Sequence, residues 1–341
     1  RLPSGDIVIV EEFGFEFRVF GPDGRFRRAF GGIGEGPGEF KSVSLRRLRD
    51  GGFAVADVEQ KRFSFYDDQY NLQETRLGAC RPGDGRSFHD PPLCYFAGLT
   101  GEGAIFWYGS RREASPRMRE GVVLRNPGAM YIVARATGDT AVVIDSIPSS
   151  RRATIVGGDG SGGPRWMWSV EELYAPKGSW AFGPRMVALG QSGRFDVRLY
   201  DSLGVLRRIL RVNMQPESVT REHLDSVRAW VVDPTTNRSP KDLALQYLDE
   251  VALGGPIPYF SELRFDEVGR LWISDYVPPA TLVTRQLWRW TIFGEDGMPL
   301  ARAVTGPSSD ILEIGEDYVL VRDKDELGVE HLAVYGIGRG G

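Results

Sequence analysis

The chain has 341 residues, of which 41% are hydrophobic and 11% aromatic, and its formal net charge at pH 7 is −4. This apolar content suffices for a sizeable core and excludes a disordered chain. The charge balance gives no support for nucleic-acid binding. No run of about 18 apolar residues occurs, so the given chain is not expected to span a membrane.

A repeated pair of short strands organises the chain from its start. In three units the matching positions of the two strands lie thirteen residues apart: Ile7 and Phe20, Phe53 and Tyr66, Val187 and Tyr200. Further units occupy residues 104–139, 271–297 and 318–335, the first of these with an expanded loop. Each unit alternates apolar and polar residues, which is typical of a small antiparallel meander. Six such sheets packed radially bury both their faces. The sequence predicts an all-β, six-bladed β-propeller that forms a single domain over residues 1–341.

The segment between the first two units has a distinctive pattern. Residues 30–40 read Phe-Gly-Gly-Ile-Gly-Glu-Gly-Pro-Gly-Glu-Phe, which resembles the linker between blades in NHL-like and related bacterial six-bladed propellers. Residues 52–57 and 63–67 resemble the strand pair of that family. The resemblance implies a chain that crosses here from the outer strand of one blade to the inner strand of the next, with Phe40 wedged between blades. The other junctions depart from the family pattern.

Two segments after the fourth unit have helical rather than strand periodicity. Apolar residues recur at helical spacing in Pro216–Val232 and in Ser239–Ala252. Thr220 or Ser218 is the predicted N-cap of the first helix, and Pro240 suits the first turn of the second. The sequence thus predicts a helical insertion at about 216–252, between the fourth and fifth units, on a rim of the disk.

Acidic residues recur where the first strand of a unit ends. They are Glu11, Asp57, Asp275 and Asp323. If these strands lined the central channel, the carboxylates could hold a divalent cation such as calcium, as in lactonase-like propellers. The favoured interpretation is structural: such a carboxylate accepts hydrogen bonds from turn amides of its own blade and no cofactor is bound.

Aromatic and basic side chains supply candidates for partner binding. A glycine-rich stretch at 157–163, interpreted as a mobile loop, leads into the most aromatic loop region of the chain, with Trp166, Trp168, Tyr174 and Trp180. Arg111 and Arg112 begin the densest basic stretch. Aromatic residues with arginine are typical interface anchors, although the aromatic side chains can equally fill the propeller core.

The two cysteines, Cys80 and Cys94, flank a polar, turn-rich segment. They favour a disulfide-closed loop in an oxidising compartment, with two free thiols as the alternative. The first residue is Arg1 rather than methionine, which fits a processed precursor or a partial sequence. A periplasmic or extracellular, peripheral location is therefore expected.

These features predict a non-enzymatic extracytoplasmic scaffold. Its partner would be another protein, for example a respiratory or photosynthetic membrane complex on which it docks as an extrinsic subunit. The competing hypothesis is a small-ligand or cation-binding propeller, either a sensor or a lactonase-like hydrolase, that uses the acidic residues named above.

Overall fold

A computed structural model of the protein describes residues 1–11, 13–78, 95–111, 123–126, 130–137, 140–157, 166–233, 241–279, 287–307, 310–325, 327 and 329–337. Over these residues the protein is a six-bladed β-propeller with two short α-helices. The predicted fold class is therefore confirmed. Neither helix is long and apolar enough to cross a membrane, within this part of the chain.

The blades are antiparallel meanders, and their strands are numbered in chain order. The first blade contains β1 (Ile7–Val10), β2 (Glu16–Phe20) and β3 (Phe26–Gly31), and the second contains β4 (Ser44–Arg47), β5 (Phe53–Asp57), β6 (Arg62–Tyr66) and β7 (Leu72–Leu77). The third contains β8 (Tyr95–Leu99), β9 (Ile105–Arg111), β11 (Met130–Thr137) and β12 (Thr140–Pro148). The strand β10 (Val123–Asn126) lies between β9 and β11 in the sequence but belongs to a different sheet.

After the third blade, β13 (Arg152–Gly157) and β14 (Trp166–Glu171) form a small sheet with β10. The fourth blade contains β15 (Gly178–Phe182), β16 (Met186–Gln191), β17 (Asp196–Asp201) and β18 (Leu206–Arg211). The fifth contains β19 (Leu263–Phe265), β20 (Leu271–Ser274), β21 (Trp288–Phe293) and β22 (Pro299–Thr305), and the sixth contains β23 (Ile311–Ile314), β24 (Tyr318–Lys324) and β25 (Glu330–Gly336).

The thirteen-residue spacing of the sequence corresponds to a cross-strand pair in each unit. The pairs are Ile7 with Phe20, Phe53 with Tyr66, and Val187 with Tyr200. In the second blade, the rings of Phe53 and Tyr66 also stack, with their centroids 4.9 Å apart. Such aromatic pairs stabilise a sheet by about 0.5–1.5 kcal/mol beyond the area that they bury.

Burial in the second blade is highest in the two middle strands, β5 and β6, and lowest in the outer strand β7. All five residues of β5 are buried, whereas all six of β7 are exposed. The apolar side chains of the middle strands fill the spaces between neighbouring blades, where each side chain contributes about 1.5–3 kcal/mol on burial. The core is therefore a ring of inter-blade layers.

The glycine-rich linker behaves as the resemblance implies. It joins β3, the outer strand of the first blade, to β4, the inner strand of the second. Phe40 is fully buried between these blades, and its ring meets Phe17 edge to face at 5.2 Å. Gly38 has a φ of 77°, in the left-handed region that side chains disfavour.

The two predicted helices are present, and they lie between the fourth and fifth propeller blades. They are α1 (Arg221–Val232) and α2 (Lys241–Asp249), and Thr220 caps α1. Residues 239–240, the predicted start of the second helix, lie outside the described residues. Leu224, Val227 and Val231 form the buried stripe of α1, with the spacing of an amphipathic helix.

This stripe is covered by the small sheet of β10, β13 and β14, so helices and sheet form one outer module. Ile155 and Val170 from the sheet share a core with Val227 and Tyr247 from the helices. The backbone N–H of Leu173 donates a hydrogen bond to the hydroxyl of Tyr247 at 2.5 Å. The insertion is therefore not an isolated pair of rim helices, because β13 and β14, which follow the third blade, complete its core.

Candidate functional site

A cleft of about 550 Å³ lies where the outer module meets the fourth and fifth blades, and we call it the insertion cleft. It is lined by residues of α1, of the two connecting segments that lead into and out of the helices, and of the segments that follow β14 and β20. They are Tyr174, Met214, Gln215, Pro216, Glu217, His223, Ser226, Val227, Trp230, Ile257, Pro258, Tyr259, Asp275, Tyr276 and Pro278. Clefts of 300–1,000 Å³ are typical of ligand-binding sites.

Backbone hydrogen bonds hold the two connecting segments side by side. Val219 donates to the carbonyl of Gly255 at 2.7 Å, and Ile257 donates to the carbonyl of Glu217, also at 2.7 Å. Tyr259 donates in turn to the carbonyl of Ser192 in the fourth blade at 2.9 Å. The floor of the cleft is therefore fixed to the propeller.

Two tyrosines form one wall of the insertion cleft. The rings of Tyr174 and Tyr276 lie 5.3 Å apart, and the phenol of Tyr276 accepts a hydrogen bond from the backbone N–H of Tyr174 at 2.8 Å. Tyr174 has a φ of 58°, a left-handed conformation that costs a residue with a side chain about 1–2 kcal/mol. Strain of this kind concentrates at functional sites. Burial raises the pKa of Tyr276 and raises that of Tyr174 to about 12, so both phenols stay neutral.

The start of α1 contributes a histidine held in one orientation. Nδ1 of His223 accepts a hydrogen bond from the backbone N–H of Thr220 at 3.1 Å, completing a capping box. Its Nε2 lies 3.2 Å from a carboxylate oxygen of Glu217. A neutral imidazole with its proton on Nε2 satisfies both contacts. His223 is thus fixed as part of the wall.

The charge of the insertion cleft is one-sided. Among the described residues that line it, Glu217 and Asp275 are acidic and none is lysine or arginine. The carboxylate of Asp275 is exposed and has no partner among the described residues. Carboxylates beside aromatic faces suit a cationic group, and each cation–π contact contributes about 0.5–2 kcal/mol.

The central channel is a second cavity, of about 360 Å³. The inner strands β4, β8, β15, β19 and β23 surround it. Its charged residues have both signs: Arg46, Arg47, Glu262, Arg264, Glu267 and Glu313. Because the charges balance, the channel shows less preference for one sign of ligand than the insertion cleft does.

The four acids predicted as cation ligands belong to four different blades. Asp57 is fully buried and accepts hydrogen bonds from Lys41 N–H, from Ser42 Oγ and from both nitrogens of Gln60, at 2.6–3.1 Å. These bonds have the structural role that the sequence favoured.

Of the other three acids, two accept hydrogen bonds within their own blade and one lies in the insertion cleft. Glu11 accepts from the backbone N–H of Gly14 in its own turn, and Asp323 accepts from the hydroxyl of Tyr335. Asp275 lies in the insertion cleft. Over the described residues, no three His, Cys, Asp or Glu side chains are grouped as a metal site would require.

Most of the predicted partner-binding aromatics have packing roles. Trp166 and Trp168 lie on β14 rather than in a loop, and Trp168 packs in the outer module against Tyr247, with ring centroids 6.5 Å apart. Trp180, on β15, contacts Tyr108 at 5.1 Å. Among the candidates whose side chains the structure describes, Tyr174 is the one that lines the insertion cleft.

The remaining predicted residues are less fully described. Arg111 ends β9 and is opposite Met130, and the structure describes only its backbone. Arg112, Cys80 and Cys94, together with most of the glycine-rich stretch, lie outside the described residues. The disulfide therefore stays a prediction.

The sequence did not indicate that the insertion and Tyr174 would meet. Two signals could have done so. The apolar stripe of α1 requires a cover that a closed ring of blades does not supply, and residues 153–155 and 170–173 carry unassigned apolar side chains. Pairing these features would have pointed to the outer module.

Comparison with known proteins does not identify a family for this chain. No family model and no curated protein matches the chain. Among solved structures, a "Putative exported protein" of Bacteroides fragilis is similar over 94% of this chain and 77% of its own, with 12% identity and a TM-score of 0.38.

Two further solved structures have comparable scores. A DUF4221 family member from Bacteroides vulgatus aligns over 94% of this chain and 86% of its own, with 11% identity and a TM-score of 0.41. Hsv2 of Kluyveromyces lactis aligns over 97% and 94%, with 10% identity and a TM-score of 0.30. At these scores the similarities neither place the chain in a family nor indicate a function. The chain has the class of fold called a six-bladed β-propeller, and its membership of the NHL-like family stays a prediction.

Proposed function

We propose that this protein is a non-enzymatic extracytoplasmic scaffold that binds a partner protein in the insertion cleft, through a segment bearing lysine or arginine. The observation that carries the proposal is the composition of the cleft: tyrosine, tryptophan and proline walls, two carboxylates, and no lysine or arginine among the described residues that line it. A basic side chain could place its charge near Asp275 and its methylene groups against the aromatic faces.

Rigidity of the cleft supports a binding role. Its wall and floor are fixed by the bond between Tyr174 and Tyr276, by the capping box at His223 and by the paired connecting segments. A preformed cleft loses little conformational entropy when a partner binds, which favours affinity. The proposed partner is a subunit of a membrane-associated complex.

A site-specific photo-cross-linking experiment tests this function. A benzoylphenylalanine placed at Met214, an exposed residue at the cleft, should capture a partner in intact cells, with the cross-link close to a lysine or arginine of that partner. The same photo-probe at Leu300, which is similarly exposed on the outer strand β22, is the matched control.

Charge reversal at Glu217 and Asp275 should abolish the Met214 cross-link, because a basic segment is then repelled. The proposal is wrong if the captured protein is the same from Leu300, or if charge reversal leaves the yield unchanged. Association of the natural protein should also weaken between 50 and 300 mM salt, because salt screens the attraction, and neutral substitutions of Glu217 and Asp275 should reduce this dependence.

The proposed extracytoplasmic location rests on a disulfide between Cys80 and Cys94, which lie outside the described residues. It therefore has its own test. Peptide mass mapping without reduction should find Cys80 linked to Cys94 in protein purified from its native cells. Two free thiols would point to a reducing compartment.

A further inference from the structure

Four aromatic side chains of the insertion cleft are only partly covered by the protein. Each is half-buried, so part of its ring is accessible to a ligand: Tyr174, Trp230, Tyr259 and Tyr276. The rings come from four separate segments of the chain. Grooves lined by aromatic rings bind proline-rich peptides, because the pyrrolidine rings pack against the aromatic faces. The cleft therefore suits a ligand that has apolar rings of its own.

The backbone around the cleft offers little for a partner strand to pair with. Three lining residues are prolines and have no N–H: Pro216, Pro258 and Pro278. Three further lining residues already donate their N–H to carbonyls of the protein: Ile257, Tyr259 and Asp275. A strand that adds to a sheet needs backbone donors and acceptors in alternation along one edge. The cleft thus disfavours a ligand that binds by strand addition.

Side-chain donors are available in its place. The hydroxyl of Tyr276 accepts from the N–H of Tyr174 at 2.8 Å, and its proton has no acceptor among the described residues. The phenol of Tyr174 and the exposed amide of Gln215 also have no partner in the described part of the chain. Burial raises the pKa of both phenols, so each keeps its proton at neutral pH and can donate it. A ligand with free carbonyl groups would satisfy these donors.

A polyproline II helix has the matching properties. It has three residues per turn, rises about 3.1 Å per residue and forms no internal hydrogen bonds, so its carbonyls are free to accept. Its proline residues supply the apolar rings and need no backbone acceptor. Because proline fixes the backbone before binding, little conformational entropy is lost when such a segment binds.

The acidic residues of the cleft specify the charge of the ligand. Asp275 and Glu217 are both exposed, and Asp275 has no partner among the described residues. Arginine suits this place better than lysine, because its planar guanidinium pairs with a carboxylate through two hydrogen bonds and stacks on aromatic faces. The cleft therefore calls for arginine beside proline.

We propose that the basic segment bound in the insertion cleft is proline-rich, adopts a polyproline II helix and pairs an arginine with Asp275. Its proline rings pack against Tyr174, Trp230 and Tyr259, and its carbonyls accept hydrogen bonds from the phenols. This inference rests on the function proposed above, and it adds the conformation and composition of the bound segment.

The probe is a labelled heptapeptide, Pro-Pro-Pro-Arg-Pro-Pro-Pro, blocked at both ends. Fluorescence anisotropy with the purified protein should show saturable binding. A control peptide with alanine in place of every proline keeps the arginine but loses the rings and the preformed helix. It should bind about tenfold or more weakly, because it must be ordered on binding.

Substitutions in the protein locate the arginine. Asp275→Asn should weaken binding of the arginine peptide by about three- to tenfold and leave a peptide with glutamine in place of the arginine unaffected. Asp225→Asn removes an exposed carboxylate of α1 that does not line the cleft, so it should bind both peptides as the natural protein does. Both positions are exposed, which makes loss of folding an unsuitable explanation for a difference between them.

Fluorine-labelled tryptophan reports on the aromatic wall itself. The fluorine resonance of Trp230, assigned with Trp230→Phe, should shift when the proline peptide is added. Trp180 is also half-buried but packs against Tyr108, outside the cleft, and its resonance should not shift.

The outcomes distinguish this inference from the function on which it rests. If the alanine peptide binds as tightly as the proline peptide and Asp275→Asn weakens both, a basic segment still binds the cleft, but the polyproline II conformation is overturned. If Asp275→Asn weakens neither peptide, both proposals fail at this carboxylate. The inference is also overturned if the proline peptide does not bind, or if it binds without shifting the resonance of Trp230.

Discussion

The backbone N–H of Tyr174 donates to the phenol oxygen of Tyr276 at 2.8 Å, and through this bond the fifth blade holds a strained residue of the insertion cleft in place. The two residues are 102 positions apart in the sequence. A contact over that distance fixes the relative position of the outer module and the propeller.

Removing this phenol tests its contribution. We expect Tyr276→Phe to lower the free energy of unfolding by about 1–2 kcal/mol, because the N–H of Tyr174 loses its acceptor in a buried place. Urea denaturation followed by tryptophan fluorescence measures the change. Tyr335→Phe removes an exposed phenol that bonds to Asp323 and should change stability by less than about 0.5 kcal/mol. Equal effects of the two substitutions would contradict this role.

The blade linker gives a second prediction, at Gly38. Gly38→Val should destabilise the fold by about 2 kcal/mol or more, because a β-branched residue disfavours a φ of 77°. No atom lies within 4 Å of the place its Cβ would occupy, so the cost is conformational rather than a clash.

Gly336→Val is the matched control for Gly38. Gly336 ends β25, also has open space around its Cβ position, and its φ is not in the left-handed region. Valine suits a strand, so this substitution should be neutral. An unchanged melting temperature for Gly38→Val would argue against the linker conformation described here.

A third prediction separates the structural and the metal-binding interpretations of the acids. Asp57→Ala should cost about 3 kcal/mol, because Asp57 is buried and its loss leaves several partly buried donors of Lys41, Ser42 and Gln60 without an acceptor. Asp275→Ala should leave stability within about 0.5 kcal/mol, since its carboxylate is exposed.

Metal analysis of the same proteins completes this test. The scaffold proposal expects the metal content of the purified protein to be independent of Asp57 and Asp275. Stoichiometric calcium or zinc that both substitutions abolish would instead favour the competing hypothesis of a cation-binding propeller.

The turn at Asp67 gives a pH dependence. The backbone N–H of Asn71, at 2.8 Å, and further hydrogen bonds hold the pKa of the Asp67 carboxyl below its usual range. The charged form is thus favoured by folding, so its contribution is complete above the unfolded pKa of about 3.9 and is lost as the pH falls through the lower folded value.

Melting temperatures of the natural protein and of Asp67→Asn should therefore differ by a constant amount above about pH 5, and the difference should shrink as the pH falls below about 4 towards the lower folded pKa. The turn at Asp201 repeats the arrangement. Burial would raise the pKa of Asp201, but bonds from Val205 and Arg207 outweigh it and hold the pKa low. Asp201→Asn should show the same convergence, and a difference that stays constant below about pH 4 would contradict the assignment.

The blades could be predicted from the sequence because their signals are local. The pair of Ile7 and Phe20 follows from alternation and a short turn, and these features repeat along the chain. The linker could be predicted for the same reason, since the glycines and Phe40 lie within eleven residues of each other.

The insertion cleft could not be predicted, because its parts are brought together by long-range contacts. Tyr174, His223 and Tyr276 come from three separate segments. The prediction that Trp166 and Trp168 belong to a loop was wrong, since these residues extend a strand that is paired with β13. A one-dimensional pattern did not show which apolar faces of the chain cover one another.

The outer module also sets an order of events during synthesis. Leu173 and Tyr247, which bond across its core, are 74 residues apart, and at 5–20 residues per second the ribosome needs about 4–15 s between them. During that time the apolar face of β13 and β14 is exposed, because the helices that cover it have not yet been synthesised. This small sheet is thus the surface on which a nascent chain of this protein would first need a chaperone.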